Sequence, residues 1–570
     1  MRTTTNVLVS VIASLLLAVS ADVPTLPLAK PWTKCEVNTT TFNESQHTRL
    51  NQDIHRHVPY GEPIPGLDQE DIRALIPLPD FAECAKFTAP LCYDGICDAN
   101  QTIEIWAKRL PAINQSSQTK SLFIMDGGPG AASCDMEDLQ QRTWVAFQGA
   151  FDVYIHDPRG TGRSEMLKCA NDTNEALPSC LRHLNYLYGA ENAGGFGLTS
   201  AATDLLAMAK SINPDIDWYL YGVSYGTLLA ARTMHVGEDD FQFKGIIMDS
   251  VTPEVWSDDD IGFNDVALRY LAACEADAYC IGHMQQPLVT LVRQVYAVYD
   301  NTSDTKSSFP RCRQWIRDEM SLRPEETTSF GVKKLFAYFI RSQSKQQLFP
   351  PFLLRLLRCN DADWAIFSGA MTTYIDSDDL EDNILFPYDS RQLNQLIDFS
   401  ELTNPQDYQS LIDEFKADLI TLPEYDDMIP YCYYHNSDAD ECDVFNITET
   451  LPFVYERDDY YGKFATIPDD TSVLIMSGYY DTITPDGWAQ SQFNGMTGDA
   501  KIWFNFNHTD HSVVDTPCGF HIFKEFLHHD GNVKRINATC LGLIPKLKFK
   551  VNAKLSNEVF GVPDIYAGIH

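Results

Sequence analysis

Gly222-Val223-Ser224-Tyr225-Gly226 limits what this chain can fold into more than any other stretch of it. It follows Asp217-Trp218-Tyr219-Leu220, which reads as a strand. It leads into Thr227-Leu228-Leu229-Ala230-Ala231-Arg232, which reads as a helix. A serine between two glycines at a strand-to-helix junction sits on a cramped turn that lifts its hydroxyl clear of the sheet. Side chains at the glycine positions would collide with the neighbouring strand and helix. The pattern is short enough to arise by chance, so its weight depends on what surrounds it.

Four short apolar runs, Leu122–Met125, Val153–Ile155, Gly245–Met248 and Val473–Met476, show no alternation. Such runs suit strands buried on both faces of a parallel sheet. Thr102–Lys108 does alternate, as a half-solvated antiparallel strand would. Between these lie helical stretches, such as Thr203–Lys210, with Leu205, Ala209 and Ile212 on one face. Strand alternating with helix predicts an α/β fold with a doubly wound, mostly parallel sheet. The rhythm stops near 255 and resumes near 471. The acidic, aromatic-rich stretch between them, with helical runs such as Phe352–Leu357, predicts a mainly helical cap over the strand ends, where open α/β sheets bind ligands. Chain order gives residues 1–21 as a signal peptide and 22–80 as an irregular extension. The core occupies 81–255 and 466–570, and the cap 256–465.

At 570 residues the chain exceeds what one compact core supports, in keeping with core plus cap. A net charge of −36 excludes a nucleic-acid partner, because phosphate binding needs a basic surface. Arg2, the apolar run Val7–Val19 and the small residues Val19-Ser20-Ala21 predict cleavage before Asp22. No later segment is apolar for long enough to cross a bilayer. Fifteen cysteines, with close pairs at 169/180, 274/280, 432/442 and 518/540, read as short disulfide loops with one thiol left over. N-x-[ST] acceptors stand at Asn38, Asn43, Asn100, Asn114, Asn171, Asn301, Asn446, Asn507 and Asn537. All three signals place the chain outside the cell or in the lumen of an acidic organelle.

A serine hydroxyl needs a base, and the base needs an orienting acid. With the serine on such a turn, the acid and then the histidine should follow in chain order. The strand Val473–Gly478 runs into Tyr479-Tyr480-Asp481-Thr482-Ile483-Thr484-Pro485, which makes Asp481 the candidate acid. Asp249, ending the preceding strand, is the alternative. The next strand, Lys501–Phe506, is followed by Asn507-His508-Thr509-Asp510-His511-Ser512. His511 is the preferred base, because it stands farther into the loop and small residues follow it. His508 is the alternative, set inside a glycosylation acceptor. The two histidines lack the glutamate of a zinc peptidase, so neither metal nor organic cofactor is expected. Asp126-Gly127-Gly128-Pro129-Gly130 follows a buried strand where an oxyanion donor should lie. The amides of Gly128, with Gly127 in reserve, and of Tyr225 are the candidate donors. Asp157-Pro158-Arg159-Gly160-Thr161-Gly162-Arg163-Ser164 lacks the lysine of a phosphate loop and reads as a structural loop that holds the serine turn through Arg159 and Asp157.

Taken together, Gly127–Gly130, Asp157–Ser164, Gly222–Thr227 and Gly478 with Asp481 and Thr484-Pro485 resemble the tripeptidyl-aminopeptidase and prolyl-aminopeptidase branch of the α/β-hydrolases, secreted serine exopeptidases. Cys518 with Cys540, and Cys359-Asn360-Asp361, are similar to the tripeptidyl side of that branch. Prolyl aminopeptidases carry histidine where this chain has Asp126 and tryptophan where it has Tyr225, which again favours the tripeptidyl side. Near the base the family commonly has glycine, and this chain has Asp510 or Asn507. The resemblance covers about residues 80–280 and 340–545. It implies peptide substrates with a free N-terminus, the amine held by cap carboxylates. Asp361 is a candidate for that contact, as are Tyr431, Tyr433 and Tyr434 for the specificity pocket, with packing as their alternative role. A carboxylesterase or lipase on the same three residues, or a binding protein that has lost turnover, are the rival expectations.

Overall fold

The computed structural model describes residues 22–38, 77–114, 119–169, 176–237, 241–256, 262–303, 309–324, 326–378, 388–402, 417–421, 428–434, 442, 445 and 447–566. The signal-peptide stretch and the acceptors at Asn43, Asn171 and Asn446 lie outside them.

Nine strands form one sheet among these residues: β1 (Leu28–Cys35), β2 (Ala82–Pro90), β3 (Thr102–Leu110), β4 (Lys120–Met125), β5 (Phe151–His156), β6 (Trp218–Ser224), β7 (Gly245–Val251), β8 (Ser472–Gly478) and β9 (Lys501–Phe506). They stand in the order β1-β2-β3-β5-β4-β6-β7-β8-β9. β1, β2 and β3 pair antiparallel, as do β3 and β5, and every pairing from β5 through β9 is parallel. This is the α/β-hydrolase fold. From β4 the chain first moves to β5 on one side and later to β6 on the other, so the sheet order reverses at β4. The crevice beyond the carboxyl ends of β4 and β6 is therefore where a ligand site belongs.

Both faces of the sheet are apolar, and residues alternate between them with period two. Leu122, Ile124, Tyr219, Tyr221, Ile247, Leu474 and Met476 meet the helices Glu137–Ala146 and Pro517–His528. Phe123, Met125, Leu220, Ile246, Met248, Val473 and Ile475 meet the helices Leu198–Ile212, Tyr225–Val236 and Asp486–Gly495. Complete burial explains why these strands read as unbroken apolar runs.

Two departures from expectation concern the packing. The stretch taken as irregular contains β1, which pairs along β2 and is tied to it by Cys35–Cys84. The chain between β7 and β8 packs in two parts rather than as one cap. Its first half, including the helices Phe263–Ala276, Leu288–Asp300, Thr328–Ile340 and Phe349–Arg358, builds a core of its own. Phe549, Val559, Phe560, Ile565 and Tyr566 join that core, so the C-terminal segment packs on the insertion rather than on the sheet. Leu393, Ile397, Phe399, Tyr431, Tyr434 and Phe453, from the second half, pack with the sheet's own core.

All four expected disulfides are present, with Cys35–Cys84, Cys92–Cys97 and Cys312–Cys359 besides, and Cys134 is the free, buried thiol. The acceptor asparagines within the described residues, Asn38, Asn100, Asn114, Asn301, Asn507 and Asn537, are all exposed.

Candidate functional site

Ser224 is the last residue of β6 and precedes the helix Tyr225–Val236. Its backbone has φ 56° and ψ −128°, a strained conformation for a residue with a side chain. The turn is as tight as the sequence implies. A Cβ on Gly222 would lie 2.3 Å from Gly226 O, and one on Gly226 would lie 2.5 Å from Asp126 O. Strand, helix and the Asp126–Gly130 loop thus meet around the serine with no space for a methyl group.

Asp481, wholly buried, sits in the loop after β8. Its Oδ1 accepts the N–H groups of Ile483 at 2.9 Å and Thr484 at 2.8 Å. Its Oδ2 accepts the Thr484 hydroxyl at 2.8 Å and His511 Nδ1 at 2.9 Å. A carboxylate only accepts, so Nδ1 carries the ring proton and Nε2 is left with a lone pair. Thr484 Oγ1 also lies 3.1 Å from Nδ1, a contact that the bare spacing of the sequence did not reveal. Burial, the largest single influence, pushes the imidazole down. The Asp481 carboxylate outweighs it with the help of Asp249 and Asp510, and the pKa ends above the ordinary histidine value.

His508 stands elsewhere. Its ring stacks on Tyr480 with 6.1 Å between centroids, and burial and Lys546 push its pKa down. Asp249, the alternative acid, does not touch the imidazole; its oxygens take the amides of Val513 and Val514 and the Tyr221 hydroxyl. Among the described residues no hydrogen bond joins Ser224 Oγ to His511. Such bonds commonly form or tighten only with substrate in place. The two side chains share the same rim, because β6, β7, β8 and β9 are neighbours and Ser224, Asp481 and His511 all lie at or just beyond their carboxyl ends.

The glycine loop closes the site from the β4 side. A Cβ on Gly127 would lie 2.8 Å from Ser224 Cβ. The Gly127 N–H is occupied, donating to Asp126 Oδ1 at 2.7 Å. The N–H groups of Gly128, at φ 102°, and of Tyr225 meet no acceptor among the described residues. Two unpaired donors beside a serine hydroxyl are what an oxyanion would need. Burial pushes Asp126 up to about 7, with Asp389 and Asp515 adding to the rise while the Gly127 amide and His511 oppose it.

The Asp157–Ser164 segment is structural, by a route other than expected. Asp157 accepts the Ser133 amide and hydroxyl and pairs with Arg163, bracing the exit of the glycine loop. Arg159 pairs with Asp204 at 2.6 Å and donates to the carbonyls of Leu91 and Gly195, so it ties the helix Leu198–Ile212 to the end of β2 rather than to the serine turn. Asp361 is not brought to the site by any described contact. Its side chain is 90% exposed and pairs with Arg311. Tyr431 and Tyr434 are buried against Phe399, the packing role.

No family model matches the chain. One curated relative, the 5-deoxy-glucuronate isomerase of Halalkalibacterium halodurans, is 28% identical over 99 residues, 17% of this chain and 34% of that protein. The chain thus spans about a third of the length of the curated relative it matches. Among solved structures, the proline iminopeptidase of Mycobacterium smegmatis aligns at 14% identity over 75% of this chain and 96% of its own, with a TM-score of 0.29. A thermophilic esterase from Thermogutta terrifontis aligns at 10% over 76% and 97%, with a TM-score of 0.31. A Bacillus megaterium epoxide hydrolase aligns at 11% over 75% and 97%, with a TM-score of 0.30. The architecture rests on the strand order and pairing themselves.

Proposed function

We propose that this chain is a serine hydrolase in which Ser224 is the nucleophile, His511 the base and Asp481 the acid that orients it. The observation that carries this reading is the 2.9 Å contact of His511 Nδ1 with buried Asp481, on the same sheet rim as the strained Ser224. Ser224 Oγ attacks the scissile carbonyl carbon while His511 Nε2 takes its proton. The negative oxygen of the tetrahedral intermediate meets the Gly128 and Tyr225 amides. As the C–N bond breaks, His511 returns the proton to the leaving amine. Water then repeats the sequence against the acyl-enzyme and frees Ser224. No step calls for a metal or organic cofactor.

We infer further that the substrates are peptides with a free N-terminus and that the enzyme releases N-terminal residues, in the manner of the tripeptidyl branch. The glycine loop beside Ser224, the Asp157–Ser164 brace behind it and the Asp481–Pro485 loop support the reading. The disulfides and exposed acceptor asparagines support passage through an oxidising, glycosylating compartment.

Turnover of peptide anilides with free and with N-acetylated termini tests the assignment, alongside p-nitrophenyl esters and fluorophosphonate labelling. The expected result is Ser224-dependent labelling and a loss of anilide cleavage when the amine is blocked. Indifference to the blocked amine would make the enzyme an esterase on the same residues. Absence of labelling would remove the hydrolase altogether.

A further inference from the structure

One wholly buried carboxylate beside the site has no part in the scheme above. Asp249 lies near the end of β7, between the strand that carries Ser224 and the strand that leads to Asp481. Its Oδ1 accepts the Val513 N–H at 3.0 Å. Its Oδ2 accepts the Val514 N–H at 2.8 Å and the Tyr221 hydroxyl at 2.9 Å. Ser250, the next residue, accepts the Ser512 N–H on its Oγ at 2.9 Å and lies 3.2 Å from Asp249 Oδ1 by the same atom. Three consecutive amides immediately after His511 are therefore held by two consecutive residues of β7. The chain needs holding there, because Ser512 has φ 62° and turns in the left-handed region, as Ser250 does at φ 56°.

We propose that Asp249 is a positioning residue, a carboxylate clamp that fixes the turn Ser512–Val514 and thereby the reach of His511 toward Ser224. The proposal rests on the Ser224–His511–Asp481 reading above. A carboxylate suits the place better than an amide: the donors converging on it are two backbone N–H groups and two hydroxyls, and the NH₂ of an asparagine would face one of them. Asp249 acts through the backbone rather than on the ring, since Nδ1 already bonds Asp481.

The charge of Asp249 also bears on the imidazole. The groups that face His511 are Asp481 from the loop after β8, Asp249 from β7, Asp510 beside it in the chain and Asp126 from the loop after β4. Asp249 is itself pushed up to about 6 by burial, against the Val514 amide, the Tyr221 hydroxyl and the Val513 amide. Removing its charge should lower the pKa of His511.

Asp249→Asn, with turnover followed across pH, tests the clamp. The expected result is a kcat lower by on the order of 10- to 100-fold with KM little changed, from a misplaced base. The acid limb of kcat/KM should also move to lower pH. A residue that merely fills space would change thermal stability and leave that limb in place; such a result, or wild-type kcat, overturns the proposal. Should Asp249→Asn fail to fold, Ser250→Ala removes one anchor of three. A kcat reduced about fivefold at unchanged melting temperature supports the clamp, and wild-type kcat refutes it. Wild-type protein without Ser224-dependent turnover would sink the hydrolase reading first and the clamp's catalytic purpose with it.

Discussion

Gly127 is the most demanding single position beside the nucleophile. A methyl group there would press on Ser224 Cβ at 2.8 Å and on the Val223 carbonyl at 3.1 Å, both parts of a turn that is already strained. Gly127→Ala should fold, because the loop is at the rim, yet lower kcat/KM by on the order of 100-fold by displacing the hydroxyl. Circular dichroism and steady-state kinetics would check both halves; wild-type kcat/KM would show that the turn has slack. The two histidines separate as sharply. His511→Ala should remove turnover by on the order of a millionfold if triad behaviour transfers from subtilisin, and His508→Ala should leave it within a few-fold. For the wild type, the base must be neutral to take the proton of Ser224. Its pKa stands above 6.5, so activity rises with pH through a limb on the alkaline side of that value. A kcat/KM profile already flat below pH 6.5 would contradict the environment described. Position in the loop favours 511 over 508 without excluding 508. What separates them is the fold: His508 has φ 63° and its ring turns onto Tyr480, while the His511 ring meets Asp481.

At the scale of elements, the insertion grips the loop that carries Asp481 through one side chain of particular interest. Arg269, on the helix Phe263–Ala276, donates to Tyr479 O at 3.1 Å and to Asp486 Oδ1 at 2.7 Å, and its guanidinium lies 4.5 Å from the centroid of the Tyr479 ring. Those two residues flank Asp481 in the chain, so the guanidinium bridges both ends of the acid loop. Arg269→Ala should lower kcat on the order of tenfold by loosening that loop, and cost about 1–3 kcal/mol because Asp486 would keep the Asn505 amide but lose its cation. Arg269→Lys, with no planar fork, should recover only part of the loss. Unchanged kcat in the alanine variant would mean that the loop holds itself. The central elements of the core were legible because the parallel strands β4, β6, β7 and β8 are buried on both faces and thus read as apolar runs. β1 was not, for the converse reason: Leu28–Cys35 is mostly exposed and contains Pro31, and it gains its place from pairing with β2 and from Cys35–Cys84. Neither signal is periodic. Nor does the chain reveal the place of the C-terminal helix Ala553–Phe560, which packs on the insertion far earlier in the sequence. The proposed catalytic residues at the ends of β6, β8 and β9 could be placed by chain order, whereas Thr484, Arg269 and Asp249 meet that site through contacts that only the folded chain creates.

For the whole molecule, the buried ionisable groups set stability and activity at different pH. Burial pushes Asp126 up to about 7 and Asp249 up to about 6, and raises Glu401 as well. A carboxyl whose folded pKa lies above its unfolded one favours the folded state most below the unfolded value. That contribution is lost as pH rises through the folded value. These three groups therefore withdraw stability between about pH 4 and pH 7. His511, also raised, adds to the loss above 6.5. Two groups act the other way. Burial lowers His156 to about 4, so its contribution is present above 6.5 and fades as pH falls toward 4. Asp157, held low by Arg163 and Ser133 against its burial, loses its contribution only below the ordinary carboxylate range. The net charge of −36 reinforces the majority, because self-repulsion eases as carboxylates take up protons. The melting temperature should accordingly peak near pH 5 and fall by several degrees toward pH 8. Asp126→Asn, which cannot ionise, should flatten that fall. A melting temperature that climbs steadily from pH 5 to pH 8 would contradict the balance drawn here. Catalysis needs His511 neutral, so turnover climbs over the same interval in which stability declines. Inactivation rates measured at pH 5 and pH 8 should then differ in the opposite sense to kcat/KM, because one set of groups prefers its protons and the base must have lost its own.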